Sequence, residues 1–145
     1  MPELRILVCG SRSFGDVGLM RERFERFDPN TVVITGGARG ADAVARSVAR
    51  DCGLHVAQVD ALWGVFGKSA GPRRNRAMLL LRPDIVLAFR MSGPSLGTDH
   101  MVRIARAEGI PVVLWSEGEG WLTEEHDWMK ELRKSSATIE EGGVI

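Results

Sequence analysis

Hydrophobic and polar positions along this chain alternate between two periodicities. Short runs rich in Val, Ile and Leu, each of which predicts a strand, occupy residues 4–9, 31–35, 55–59, 85–89 and 110–115. Between these runs, apolar residues recur every three or four positions, as they do on one face of an amphipathic helix. Strand and helix therefore alternate five times. This alternation predicts an α/β fold with a doubly wound parallel sheet of about five strands and helices on both faces.

Residues that favour helix ends place the predicted helix boundaries. Asp16 is predicted to cap the first helix, and Gly53 is expected just after the end of the second. Pro72 is predicted to lie in the first turn of the next long helix, after an extended loop. Asp99 is predicted to cap the last helix of the alternating region.

The pattern changes after residue 116. Residues 117–120 read Glu-Gly-Glu-Gly and are predicted to be a linker. Four large apolar residues beyond it are spaced as on one face of an added C-terminal helix: Trp121, Trp128, Met129 and Leu132. We therefore predict a ligand-binding domain at residues 1–116 and a helical extension with a frayed tail at residues 117–145.

Composition excludes several classes of protein. The 19 basic and 19 acidic residues cancel, so the net charge does not favour a nucleic-acid partner. No apolar run approaches the roughly 20 residues that cross a bilayer, and no signal peptide precedes the first strand, so we expect a cytoplasmic protein with no membrane partner. Cys9 and Cys52 are expected to be free thiols. The histidines lack partners at ligand spacing, which predicts no metal site, and we expect no cofactor.

Three loops that follow predicted strands contain glycine together with Ser, Thr or Arg, at residues 10–12, 36–40 and 92–98. Ligands of doubly wound sheets bind beyond the carboxyl ends of the strands, so these loops are expected to converge on one site. Glycine lets a ligand approach the backbone, and the first amides of the following helix favour an anion. We interpret residues 36–40 as a phosphate seat, with turn geometry alone as the alternative.

Four cations surround the start of the helix that contains Pro72: Lys68, Arg73, Arg74 and Arg76. Arginine there opposes the helix dipole, so a bound anion would compensate, whereas the alternative is a solvated basic face. Arg74 with Asn75 is predicted to face the pocket, because the arginines cannot all point the same way. Trp63 is predicted either to stack on a base or to fill an apolar gap.

The candidate ligand-binding residues are Gly10, Ser11, Arg12, Gly36, Gly37, Ala38, Arg39, Gly40, Asp42, Trp63, Lys68, Asn75, Gly97 and Thr98. Arg74 and Asp99 are the candidate catalytic residues. Asp42 and Asp99 each stand beside a glycine-containing loop where a helix opens. Each is predicted either to cap or brace its loop or to contact a ribose or a water.

Four motifs occur in order: GSR at residues 10–12, TGGARGADA at 35–43, AGPRRNRAM at 70–78 and GTDHM at 97–101. Together they resemble the small YspA-like, YpsA-related group of the SLOG superfamily, which also holds the Lonely Guy phosphoribohydrolases and the DNA-processing protein DprA. The resemblance covers about residues 4–115. It implies a Rossmann-like fold that binds a nucleotide or a nucleotide derivative, and it favours a homodimer.

The Lonely Guy enzymes cleave the N-glycosidic bond of a nucleoside 5′-monophosphate with an arginine and a glutamate. Arg74 matches that arginine by its distance from Met78, but the glutamate position is Met101. A methionine cannot stabilise an oxocarbenium-like centre or act as a base. Asp99 and His100 are the candidates to take over that role, and an N-glycosidase would use Asp99 or Asp42 as its carboxylate.

Three hypotheses follow from these residues. The first is a nucleotide-binding protein. The second is an N-glycosidase that acts on a nucleoside 5′-monophosphate or an NAD-like ligand. The third is a DprA-like DNA-binding accessory protein, which the neutral charge disfavours.

Overall fold

A six-stranded sheet between two layers of helices makes up residues 4–122, the part of the chain that the computed structural model describes. In chain order the elements are β1 (Arg5–Gly10), α1 (Val17–Phe24), β2 (Val32–Gly36), α2 (Ala41–Asp51), β3 (His55–Val59), α3 (Trp63–Phe66), a 3₁₀ turn (Gly67–Ser69), α4 (Ala70–Leu80), β4 (Ile85–Arg90), α5 (Leu96–Ala107), β5 (Val112–Ser116) and β6 (Gly120–Trp121).

The strands lie in the order β3-β2-β1-β4-β5-β6. The first five are parallel, and β6 pairs antiparallel with β5. This arrangement confirms the doubly wound α/β prediction, with the strand order reversing between β1 and β4. The sheet continues past residue 116, because the expected linker forms a turn that leads into β6. Trp121 belongs to β6, and the predicted helix with Trp128, Met129 and Leu132 lies outside the described residues.

Alternation along β1 divides the core into two layers, because successive side chains of a strand point to opposite faces of the sheet. Ile6 and Val8 join the apolar cluster beneath α1 and α2, whereas Leu7 and Cys9 join the cluster beneath α4 and α5. Both faces of the sheet are therefore covered, which is why the inner strands are mostly apolar, whereas the edge strand β3 contains the exposed His55 and Gln58.

Two of the predicted helix ends are confirmed. The Asp16 carboxylate accepts a hydrogen bond from the backbone N–H of Leu19 at 3.0 Å, as an N-cap does. Gly53 follows α2 with a φ of +74°, a left-handed conformation that glycine adopts without strain.

Pro72 lies in the first turn of its helix, as predicted, because α4 begins at Ala70. Two other predictions are wrong. The long loop expected before this helix contains α3 and the 3₁₀ turn. The Asp99 cap is wrong, because α5 starts at Leu96 with Ser95 as its N-cap. The carbonyl of Ser95 accepts the first helical hydrogen bond, from the N–H of Asp99 at 2.9 Å, so Asp99 lies inside the first turn.

Both cysteines are free thiols, as predicted. Cys9 is buried in β1, and this burial raises the pKa of its thiol far above the ordinary value. Cys52 is half-buried at the end of α2. Within residues 4–122, no helix combines the length and the hydropathy needed to cross a membrane.

Candidate functional site

A cleft of about 420 Å³ opens beyond the carboxyl ends of β1, β2 and β3, beside the start of α4. Its lining consists of Arg12, Gly37, Ala38, Arg39, Asp60, Ala61, Trp63 and Arg74. The volume is in the range of small-molecule sites. Three arginines against one aspartate make the lining electropositive.

The loop between β2 and α2, residues 36–40, is held from inside the protein by Asp42. This carboxylate is buried, and it accepts hydrogen bonds from Thr35 Oγ1 at 3.1 Å and from the N–H of Ala38 at 3.2 Å. Burial raises the pKa of Asp42, and the nearby positive charge of Arg74 opposes that rise. These contacts support the loop-bracing interpretation of Asp42, which lies beneath the cleft lining.

Two glycines of this loop make room for close neighbours. Gly40 has a φ of +74°, and a Cβ there would overlap the backbone carbonyl groups of Ser11 and Arg12. A Cβ at Gly36 would overlap the guanidinium of Arg74. Residues 36–40 can therefore pack against the residues that follow β1, and Arg74 can lie directly on the backbone of Gly36.

Two amides that were expected to hold phosphate are engaged within the protein. The N–H of Ala41, the first of α2, donates to the carbonyl of Ser11 at 3.1 Å. The N–H of Ala38 donates to Asp42. The positive charge at the cleft is therefore supplied mainly by the side chains of Arg12, Arg39 and Arg74.

Arg46 braces the same loop and was not singled out from the sequence. Its Nη1 donates to the carbonyls of Gly36 at 2.9 Å and Ala38 at 3.2 Å. The available signal was spacing, because Arg46 lies four residues after Asp42 and thus on the same face of α2.

Arg74 and Asn75 have different roles. Arg74 lines the cleft and donates from Nε to Asn75 Oδ1 at 3.1 Å. Asn75 is buried between α4 and α5, where its Nδ2 donates to the carbonyl of Gly97 at 3.1 Å and lies 3.0 Å from His100 Nδ1. Asn75 therefore holds Arg74 in place and does not line the cleft.

The remaining cations near α4 lie outside the cleft lining. The Arg73 guanidinium stacks over the Phe66 ring at 4.4 Å, Arg76 is exposed, and Lys68 is exposed in the 3₁₀ turn. Trp63 does line the cleft, with 49% of its surface exposed. Its ring packs on Gly71 at the start of α4, so one part of the indole is fixed and the rest is available to a ligand.

The loops after β1 and β4 join each other, and apart from Arg12 they do not border the cleft. Ser11 Oγ donates to Ser95 Oγ at 3.2 Å, and Ser95 Oγ donates to Thr98 Oγ1 at 2.8 Å. A Cβ at Gly10 would overlap the carbonyl oxygen of Phe89. Gly10, Ser11 and Thr98 therefore connect β1 to β4 and α5, and Gly97 contacts Asn75 of α4. The loop after β1 reaches the cleft through Arg12, and the loop after β4 does not reach it.

The candidate catalytic carboxylate, Asp99, is also outside the cleft lining. It forms a two-point ion pair with Arg90, at 2.9 Å from Nε and 3.3 Å from Nη2. Met101, at the position of the Lonely Guy glutamate, is fully buried in the core. Arg74 thus faces the cleft without either residue beside it.

Asp60 lines the cleft and was not chosen from the sequence. It follows β3 directly, and its Oδ1 accepts a hydrogen bond from Gln58 Nε2 at 2.8 Å. A signal existed, because the end of a third parallel strand must reach the same edge of the sheet as the ends of β1 and β2. Across residues 4–122, no cluster of three or more His, Cys, Asp or Glu could hold a metal ion.

Comparison with known proteins agrees with the motifs. Residues 4–65 match the YspA, cpYpsA-related SLOG family. Gene 61 protein of Mycobacterium phage D29 is 38% identical over 118 residues, which cover 75% of this chain and 94% of the phage protein. The solved structure of DNA processing protein A (DprA) from Streptococcus pneumoniae aligns with a TM-score of 0.48 and 18% identity over 77% of this chain, and this chain spans 58% of that protein. The chain belongs to the YspA, cpYpsA-related SLOG family.

Proposed function

We propose that this protein binds a nucleotide or a nucleotide-derived ligand in the cleft beside α4. The observation that carries the proposal is the set of three arginines, Arg12, Arg39 and Arg74, in the lining of one cleft. A guanidinium pairs with phosphate through two parallel hydrogen bonds. The half-exposed indole of Trp63, in the same lining, offers a surface on which a base stacks.

Arg74 is the best oriented of the three arginines for binding an anion. Its Nε is bound by Asn75, which fixes the plane of the guanidinium. Among residues 4–122, this is the hydrogen bond that the Arg74 side chain makes. Its Nη1 packs on Gly36 beside the Asp42 carboxylate, and the side chain borders the cleft, where a ligand can reach it. A positioned fork of donors loses less entropy when an anion binds than a mobile lysine does.

Nucleotide binding is better supported than cleavage of a glycosidic bond. The two carboxylates predicted for an N-glycosidase, Asp42 and Asp99, both lie outside the cleft lining. The carboxylate that does line the cleft is Asp60, whereas the three arginines support anion binding directly. The homodimer, the cytoplasmic location and the domain boundary at residue 116 stay predictions.

The first test is thermal unfolding with a panel of nucleoside mono- and triphosphates. Stabilisation should grow with ligand concentration and reach about 2.7 kcal/mol at one hundred times Kd. Arg74→Gln should weaken binding by about tenfold or more, because it removes a charge-assisted contact to phosphate. Arg76→Gln is the matched control, since Arg76 is exposed on the same helix and outside the cleft lining.

Two results would contradict the proposal. In the first, no phosphate-bearing ligand shifts the midpoint of unfolding. In the second, Arg76→Gln weakens binding as much as Arg74→Gln, which would indicate general attraction to a basic surface.

A further inference from the structure

Asp60 is the one carboxylate among the described residues that line the cleft, where it faces three arginines. A negative charge at this place weakens the attraction of the cleft for any purely anionic ligand. An acidic side chain is therefore unexpected in a site for inorganic phosphate. It is expected where one part of the ligand is an anion and another part donates hydrogen bonds.

The rest of the protein does not account for Asp60. The side chain is exposed, and within residues 4–122 it forms no ion pair. Its one hydrogen bond there is from Gln58 Nε2 to Oδ1, at 2.8 Å. A Cβ at Gly37 would overlap Oδ1, so glycine at that position makes room for the carboxylate. One carboxylate oxygen of Asp60 is thus bound to Gln58, while Oδ2 stays available as an acceptor.

Asp60 and Arg74 lie against neighbouring residues of the same loop. The guanidinium of Arg74 packs on Gly36, and the carboxylate of Asp60 packs on Gly37. Both side chains also line the same cleft, so one site contains an anion-binding fork and a hydrogen-bond acceptor. A nucleoside 5′-phosphate has a matching arrangement, because its phosphate and its two vicinal hydroxyls are attached to one sugar.

We infer that Asp60 accepts hydrogen bonds from the 2′- and 3′-hydroxyls of a bound ribonucleotide and makes the cleft selective for ribose over deoxyribose. The inference rests on the proposed function. An ionised carboxylate has two acceptor oxygens and no donor, which suits a vicinal diol. The same oxygens would also accept from an amino group of a base, and the experiment separates the two cases.

The experiment is calorimetric titration of the wild-type protein, Asp60→Asn and Glu108→Gln. The probes are the four ribonucleoside 5′-monophosphates, their 2′-deoxy and 2′,3′-dideoxy counterparts, and inorganic pyrophosphate. Glu108→Gln is the matched control, because Glu108 is an exposed acid at the far end of α5. Melting without ligand checks that each variant is folded.

In the wild type, the Kd of the ribonucleotide should be lower than that of its dideoxy counterpart by a factor of about ten or more. Asp60→Asn should lose most of that preference. It should bind the dideoxy nucleotide and pyrophosphate as tightly as the wild type or more so, because a repulsive charge is gone. Glu108→Gln should behave as the wild type.

Three results overturn the inference while leaving the proposed function intact. In one, the wild type binds ribose and dideoxyribose forms equally. In another, Asp60→Asn weakens every probe by the same factor, as a merely structural role would. In the third, the substitution changes the preference among bases and not among sugars. If the wild type binds none of the probes, the proposed function fails and the inference fails with it.

Discussion

The two loops at residues 36–40 and 91–95 show how similar sequences acquire different roles. Each follows an apolar strand, contains glycine, and leads into an amphipathic helix. The first is braced by the buried Asp42 and by Arg46, and it borders the cleft. The second is held at its Ser92 N–H by Glu117 at 2.9 Å and at its end by the hydroxyl of Ser95. Glycine after a strand therefore indicates a turn. Whether that turn belongs to a ligand-binding cleft depends on the residues that pack against it.

The difference follows from the order of the strands. The loop after β2 lies on the side of the sheet where β3 ends and where α3 and α4 pack, so an arginine of α4 reaches it. The loop after β4 leads to α5, which packs against β1, β4 and β5 and brings no cleft-lining cation. The two loops have similar compositions, and they differ in role because different helices pack against them.

The largest expected effect is the loss of stability when a glycine with a positive φ is replaced in either loop. Gly40→Ala should reduce the free energy of unfolding by about 2–4 kcal/mol, because a Cβ there is both strained and overlapping with a neighbouring backbone. Gly93→Ala should cost only about 1–2 kcal/mol, since Gly93 also has a positive φ but nothing lies within 4 Å of its Cβ position. Urea unfolding measures both. Equal losses would contradict the distinction between the loops.

The second effect concerns the two aspartates. Asp42→Asn should cost about 1–3 kcal/mol, because Asp42 is buried and accepts from Thr35 and Ala38, and an amide disturbs one of those bonds. Asp99→Asn should leave the free energy of unfolding unchanged within error, since exposed ion pairs contribute little. The two denaturation curves decide the matter. A loss at Asp99 as large as that at Asp42 would contradict this difference, because it would make the Arg90–Asp99 ion pair as important for stability as the buried carboxylate.

The smallest effect is on the pH dependence of stability. His100 connects α5 to Asn75 and so to Arg74. Burial, then the charges of Arg103 and Arg76, lower the pKa of His100 from its ordinary 6.5. The unfolded chain therefore binds the proton more readily, and the stability contributed by the neutral ring should be lost as the pH falls below about 6.5. Protonation also makes Nδ1 a donor, which removes the acceptor for Asn75 Nδ2.

His100→Asn tests this dependence, because an amide oxygen replaces the acceptor and does not titrate. Thermal midpoints measured from neutral pH to about pH 5 should fall less in this variant than in the wild type. His55→Asn is the control, since His55 is exposed on β3. A fall in the midpoint that is the same in all three proteins would contradict the assignment to His100.

The sequence by itself determined the alternation of strands and helices, the parallel doubly wound class, the cap at Asp16 and the glycine turn after β2. It also identified Arg12, Arg39, Trp63 and Arg74 as candidates, and all four line the cleft. These features are local, since periodicity, capping and turn conformation depend on residues within a few positions of one another. The family resemblance added the order of the motifs, and the comparisons confirm that family.

Only the tertiary structure decided that the first two of the three loops share a cleft with Arg74, that the third does not, and that Asp60 belongs there. It also decided that Asn75 positions Arg74, that Asp99 pairs with Arg90, and that a sixth strand follows β5. Each of these outcomes depends on contacts between residues far apart in the chain. The periodicity of a helix determines which of its side chains share a face. Which residues those side chains contact depends on how the helix packs against other elements. For that reason the composition of a loop predicts its turn, while its partners are known only once the sheet is assembled.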